Sequence, residues 1–251
     1  MKKNQALFFQ KGFIEIVNGK GIHEFPYHTH ESFLIGVIKS GSAKFIIDNK
    51  EYVLGSGMTY LVPSDIGISI APVSPYSYLT ICIKKKVMQL DSSESEMYVR
   101  HDIGEKVIGL SKRFQMNRLT EDEFICELTS ICNIKRGDEV LNQYLDSDIQ
   151  KAVFYLKEHV NGKFVLNDLA EAVHLSKYHL IRRFKKEMGV TPKQYIQQCK
   201  IRQTKNRLLL NESEVDIAID MNFSNQSHLC SMFKKYMGIS MIEYKNNVDI
   251  V

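Results

Sequence analysis

A chain of 251 residues with 44% hydrophobic and 25% charged content can bury two separate cores, which excludes a globally disordered polypeptide. No run of 18 apolar residues occurs, which argues against a helical membrane span and a membrane partner, and the apolar stretch after Met1 stops at Gln10-Lys11, too short for a signal-peptide core. The net charge of +4 is unevenly placed: residues 1–147 carry 17 Lys+Arg against 18 Asp+Glu, residues 148–251 carry 16 against 11, and residues 164–208 carry 10 against 3. Such a local cationic excess is what a phosphate backbone attracts. The five cysteines (82, 126, 132, 199 and 230) form no CxxC or Cys/His cluster, so neither zinc nor disulfides are expected and a reducing, cytoplasmic setting is.

From Phe33 to Ile83 the chain reads as strands. SFLIGVI, AKFIIDN, KEYVLG, MTYLVP and YLTICI are β-branched and aromatic runs cut by Lys39-Ser40-Gly41, Asp48-Asn49, Gly55-Ser56-Gly57 and Pro63-Ser64-Asp65. That spacing predicts an antiparallel barrel or sandwich. Ahead of it stands PYHTHESF, whose His28 and His30 would share one face of a strand. The spacing resembles the start of the cupin metal motif. Leu34 stands where the acid belongs, however, and Pro63 to Ile68 offers no further histidine. The two imidazoles are therefore expected to line a small-molecule pocket or to be hydrogen-bonded wall residues, with no metal and no cofactor. The alternative is a cupin metalloenzyme fused to a DNA-binding module.

Between about Ser92 and Ser147 apolar residues recur at helical steps, as in Asp102 to Arg113 and Glu121 to Ile134. Thr120 followed by Glu121, Asp122 and Glu123 predicts a capped helix start. Further on, Asp148 is placed to cap a helix through Leu156 that ends at Asn161-Gly162, Asn167 a short helix over DLAEAV, and Ser176 a helix over KYHLIRRFKKEM. In the last of these Leu180, Phe184 and Met188 form the inward stripe. Tyr178, Ile181, Arg182 and Lys185 face outward, with Lys186 beside them. An exposed arginine near the start of such a helix suits bidentate contact with guanine, and the lysines suit phosphates.

Gly189 ends that helix, and Thr191-Pro192 opens another of about 19 residues, about 29 Å long. Then the text repeats. FKKEMGVTPKQY, Phe184 to Tyr195, returns 49 residues later as FKKYMGISMIEY, Phe233 to Tyr244. Upstream, Leu169-Ala170, Ser176 and His179-Leu180 return as Ile217-Ala218, Ser224 and His228-Leu229, with Ser224 expected to cap the second long helix. A short helix, a turn and a longer basic helix, duplicated, predict two helix-turn-helix units. The outward set of the second is Gln226, Ser227, Cys230 and Ser231, then Lys234 and Lys235. It has no arginine to match Arg182, so the first unit is expected to supply most base discrimination. Adjacent major-groove faces on one side of B-DNA lie about 34 Å apart, close to the length of the connecting helix, so one chain can present both readers to one duplex.

These residues resemble the AraC/XylS family of bacterial transcription regulators. LAEAVHLSKYHLIRRFKKEMGVTPKQYI follows the family's first motif, and the resemblance extends over 148–247. The family's Gly-Phe before the second reader is Asn222-Phe223 here, and its Pro after the last Gly is Met241. The resemblance implies an α+β, two-domain protein: a cupin-like antiparallel β barrel over 1–90 that senses an effector, a helical dimerisation and linker region over 91–147, and an all-α double helix-turn-helix domain over 148–251. It implies a non-enzymatic regulator, an activator in most members, acting on double-stranded promoter DNA and RNA polymerase as a homodimer. It also implies an effector pocket, for which His28, His30, Tyr60 and Tyr78 are the candidates; a regulator without a small-molecule ligand is the other alternative.

Overall fold

A computed structural model describes residues 4–84, 88–89, 98–136 and 146–251. In chain order these form β1 (Gln5–Lys11), β2 (Ile14–Gly21), β3 (Phe25–Thr29), β4 (Phe33–Ser40), β5 (Ser42–Ile47), β6 (Lys50–Gly55), β7 (Thr59–Val62), β8 (Gly67–Pro72), β9 (Tyr76–Ile83), β10 (Met88–Gln89) and β11 (Val99–Arg100). They continue with α1 (Gly104–Gln115), α2 (Glu121–Cys132), β12 (Lys135–Arg136), α3 (Ser147–Glu158), α4 (Leu166–Ala172), α5 (Lys177–Met188), α6 (Pro192–Leu209), α7 (Glu214–Asp220), α8 (Gln226–Met237), α9 (Met241–Asn246) and β13 (Val248–Ile250). The chain divides into two compact units. The first comprises Met1–Glu24, His30–Val140 and Asn246–Val251, the second Phe25–Thr29 and Leu141–Lys245.

The five expected strands are β4, β5, β6, β7 and β9. In the first unit they join β1, β2, β11 and β13 in a seven-stranded sheet of order β11-β7-β4-β9-β2-β1-β13, and a second sheet in which β5 pairs antiparallel with β6 and β8. The strands thus form two facing layers rather than one closed barrel. Residues directly opposite one another share a face, and Leu61, Ile35, Ile81, Ile16 and Phe9 form one row across β7, β4, β9, β2 and β1, all 0–5% exposed. Helices cover this face, with the Phe114 ring 6.0 Å from Phe9 and 4.3 Å from Phe124. One residue along, the opposite face carries Tyr60, Gly36 and Thr80 in line. A β-carbon on Gly36 would lie 1.9 Å from Tyr60 Cζ, so only glycine lets that ring lie flat across the strand. The ring then sits 4.9 Å from Phe45 of the second sheet.

Of the helical stretch expected from Ser92 to Ser147, α1 and α2 are present, α2 with the expected capping box between Thr120 and Glu123. Residues 90–97 and 137–145 lie outside the described residues. The helical unit packs Ile149, Ala152 and Leu156 of α3 against Leu169 and Ala170 of α4, Leu180 and Phe184 of α5, and Tyr195 and Cys199 of α6. Ser176 and Thr191 cap α5 and α6 as expected.

Three other caps differ from the sequence reading. The α3 cap is Asp146, whose side chain accepts from the Asp148 N–H, because Asp148 already lies in the first turn. The α4 helix starts at Leu166 after Val165, with no side-chain cap, so Asn167 is inside it. The α8 cap is Asn225, not Ser224. Its cause is a turn of unequal length: α4 to α5 takes residues 173–176, and α7 to α8 takes residues 221–225. The short helices are therefore 48 residues apart, and the long ones 49.

Candidate nucleic-acid interface

The shared residues of the repeat build two copies of one support. Gly189 and Gly238 adopt left-handed φ of 69° and 74°, and their N–H groups close α5 and α8 on the carbonyls of Lys185 and Lys234. Phe184 packs edge-on against Tyr195 at 5.7 Å, and Phe233 against Tyr244 at the same distance. Thr191 with Gln194 and Ser240 with Glu243 form reciprocal caps on the helices that follow. The inward stripe of α5 is buried throughout; in α8 Leu229 and Phe233 are buried and Met237 partly so.

The remaining positions face outward. On α5, Tyr178 is 79% exposed, Arg182, Lys185 and Lys186 are exposed, and Ile181 is half-buried. On α8, Gln226, Ser227, Ser231, Lys234 and Lys235 are exposed. The Gln226 amide donates to Glu214 of α7 at 2.9 Å, which fixes its direction. Neither reader has an acidic residue in its first turn, whereas α2 has three and α7 two. Each reader therefore leads with the positive end of its peptide dipole and no acidic residue of its own, although Glu214 of α7 stands beside the first turn of α8.

Two adjacent arginines on α5 differ in what they touch; the helical period set Arg182 outward but did not show what holds Arg183. Arg183 pairs with Asp146 at 2.5 Å and Asp148 at 3.1 Å, tying α5 to the start of α3. Arg182 meets no such partner among the described residues. The linking helix α6 has 18 residues, about 27 Å at 1.5 Å each, matching the expected spacer. Lys163, Lys193 and Lys200, absent from the sequence candidates, line a cleft inside the helical unit, between its two helix-turn-helix repeats. Lys200 stands four residues from each of Ile196 and Thr204, both buried, so the helical period could have flagged it.

The candidate effector residues are distributed. Tyr60 and Tyr78 share a face of the large sheet; the Tyr60 hydroxyl is 2.6 Å from Thr80 Oγ1, and the Tyr78 ring covers Gly19. Burial raises both phenol pKa values, so both hydroxyls stay protonated. The strand β3 ends at Thr29, which leaves His30 beyond it, and His28 belongs with the helical unit while His30 belongs with the sheet unit. His28 Nδ1 lies 2.6 Å from the Pro26 carbonyl. Among the described residues no three His, Cys, Asp or Glu side chains are grouped as metal ligands would be.

Residues 169–247 match a family described as a helix-turn-helix domain, and residues 17–103 match one described as an AraC-like ligand binding domain. The chain belongs to the AraC family of DNA-binding transcriptional regulators. Similar AraC-family relatives include the HTH-type transcriptional regulator YbfI of Bacillus subtilis, 26% identical over 86% of each chain. Another is the lactose operon transcription activator of Staphylococcus xylosus, 21% identical over 90% of this chain and 88% of that one. In fold the protein resembles the crystal structure of unsaturated fatty acid bound ToxT from Vibrio cholerae, with TM-score 0.59, 16% identity and 98% of both chains covered. Among the described residues no helix is long and apolar enough to cross a membrane.

Proposed function

We propose that this AraC-family regulator sets its two readers into adjacent major-groove faces of one promoter duplex, with α5 supplying most of the base discrimination and α8 mainly the register. The observation that carries this reading is Arg182, an exposed guanidinium on α5 with no ion-pair partner among the described residues, against Ser231 and a tethered Gln226 on α8. Tyr178, Ile181 and Arg182 meet base edges; Lys185, Lys186, Lys234 and Lys235 meet phosphates; Gln226, Ser227 and Ser231 make the lesser contacts of the second reader. Selection of genomic fragments by the full chain tests it. The expected winners share two half-sites about 10–10.5 base pairs apart, the nearer to invariance being the α5 half. Binding with no enriched sequence would overturn the division of labour.

The segment 1–90 is the sensor in this reading, 91–147 dimerises the chain, and 148–251 holds the DNA, in a cytoplasmic protein that recruits RNA polymerase as an activator. Support comes from the AraC-like ligand binding match over 17–103, from the activator named among its relatives, and from a structural neighbour crystallised with a fatty acid. The phenols of Tyr60 and Tyr78 are neutral hydrogen-bond donors to an effector, with His28 and His30 as further candidates. An effector acts only through a difference in affinity for two states. Thermal-shift screening of small metabolites against the full chain should find one that raises the melting temperature and changes promoter affinity.

A further inference from the structure

Between the two helix-turn-helix units lies a cleft of about 780 Å³. Its rims are Ile181 of α5 and His228 of α8, and its floor is α6, where Lys200 is 6% exposed. Three lysines (163, 193 and 200) and one histidine line it, and among the described residues no carboxylate does. The Lys200 ammonium meets the Gly162 carbonyl at 3.4 Å and the Phe223 ring at 5.9 Å, and the protein gives it no counter-charge among the described residues. Burial lowers its pKa, as expected of a cation that folding leaves uncompensated. Apolar walls such as Phe223 and Ile196 reduce the local dielectric, which strengthens attraction for an anion entering the cleft.

We infer that this cleft seats a backbone phosphate of the DNA segment that passes between the two readers, with Lys200 at its floor and Lys163 and Lys193 at its mouth. The inference rests on the double-reader proposal, because a duplex engaging α5 and α8 at once must carry its sugar–phosphate strands across the space between them. It gives α6 a second role: the helix that spaces the readers also binds what lies between. Contacts of this kind are blind to sequence, so their removal weakens every duplex alike.

The full chain is titrated with a duplex it selects from genomic DNA and with a scrambled duplex of equal length, over a range of potassium chloride concentrations. Lys193→Gln and Lys200→Met should each reduce the slope of log affinity against log salt by about 0.9, equally for both duplexes. Lys200→Arg should restore it, and Lys106→Gln on α1 should leave it unchanged. Ethylation of phosphates between the half-sites should interfere with wild-type binding and not with Lys200→Met. Melting temperatures measured alongside separate misfolding of Lys200→Met from loss of contact, and exposed Lys193 provides a variant without a packing role. Unchanged slopes in both variants, with wild-type binding intact, would overturn the phosphate seat alone. Displacement of DNA by inorganic phosphate at matched ionic strength, with unchanged slopes, would reassign the cleft to a free anion. A wild-type chain that binds neither duplex would remove the double reader itself.

Discussion

At the scale of single residues, neighbours of the same type separate by what they touch. The helical period turns Arg182 outward, and the acceptors at Asp146 and Asp148 claim its neighbour Arg183. Arg182→Ala should cost about 1–3 kcal/mol at one base pair and relax specificity there, measured by competition with singly substituted duplexes. An equal loss on every duplex would make it a phosphate contact instead. The cysteines divide in the same way. Cys126 is exposed, while burial pushes the Cys132 thiol up to about 12, so Cys132 stays a thiol at neutral pH. Maleimide should label Cys126 rapidly and Cys132 only on unfolding. In the sheet, Gly36→Ala would drive a methyl into the Tyr60 ring and should destabilise the protein by about 1–3 kcal/mol in denaturant titrations.

At the scale of elements, legibility followed the chemistry of the ends and the period of the middle. The helices α5 and α6 were readable because Ser176, Gly189 and Thr191-Pro192 punctuate them and Leu180, Phe184 and Met188 repeat at four-residue steps. Five strands were readable from β-branched runs between turn residues. In contrast, β1, β2, β3, β8 and β13 carry mixed polar or glycine-containing text, such as Asn18, Gly19 and Lys20 in β2, and pairings such as β2 with β9 and β1 with β13 join stretches far apart in sequence. The outward residues of both readers were legible, since they are the complement of a clear apolar stripe. Of the cleft lysines only Lys200 left a trace, as a charge at a buried helical step; Lys163 and Lys193 are exposed and join it only in the folded unit. Cap identity has a pH signature. A backbone N–H from Asp148, then Arg183, hold the Asp146 carboxyl below its ordinary value near 3.8. A depressed acid contributes stability that is complete above that value and lost as pH falls through the lower folded one. Asp146→Asn keeps a capping acceptor and loses the pairing, so its deficit in melting temperature against wild type should be full at neutral pH and close below about pH 3.8.

At the scale of the molecule, the units are not successive stretches of chain. Asn246–Val251 leaves the helical unit to join the sheet unit, where β13 pairs parallel with β1, Phe8 to Val248, Phe9 to Asp249 and Gln10 to Ile250. Removal of residues 246–251 should therefore leave helix content and DNA affinity near wild type, while lowering the melting temperature of the sheet unit and increasing self-association through an uncovered β1 edge. Circular dichroism, DNA titration and light scattering on the same truncated chain would check each part. Loss of DNA binding with an intact sheet would contradict the division.

The turn between α7 and α8 is one residue longer than its counterpart between α4 and α5. In the double-reader proposal, two tandem units with unequal turns would read one duplex in a single sense, and that duplex would need no twofold axis. That address would be an arrow rather than a palindrome. A promoter carrying the same bases in reverse orientation would hold the protein just as tightly and point it away from the start of transcription.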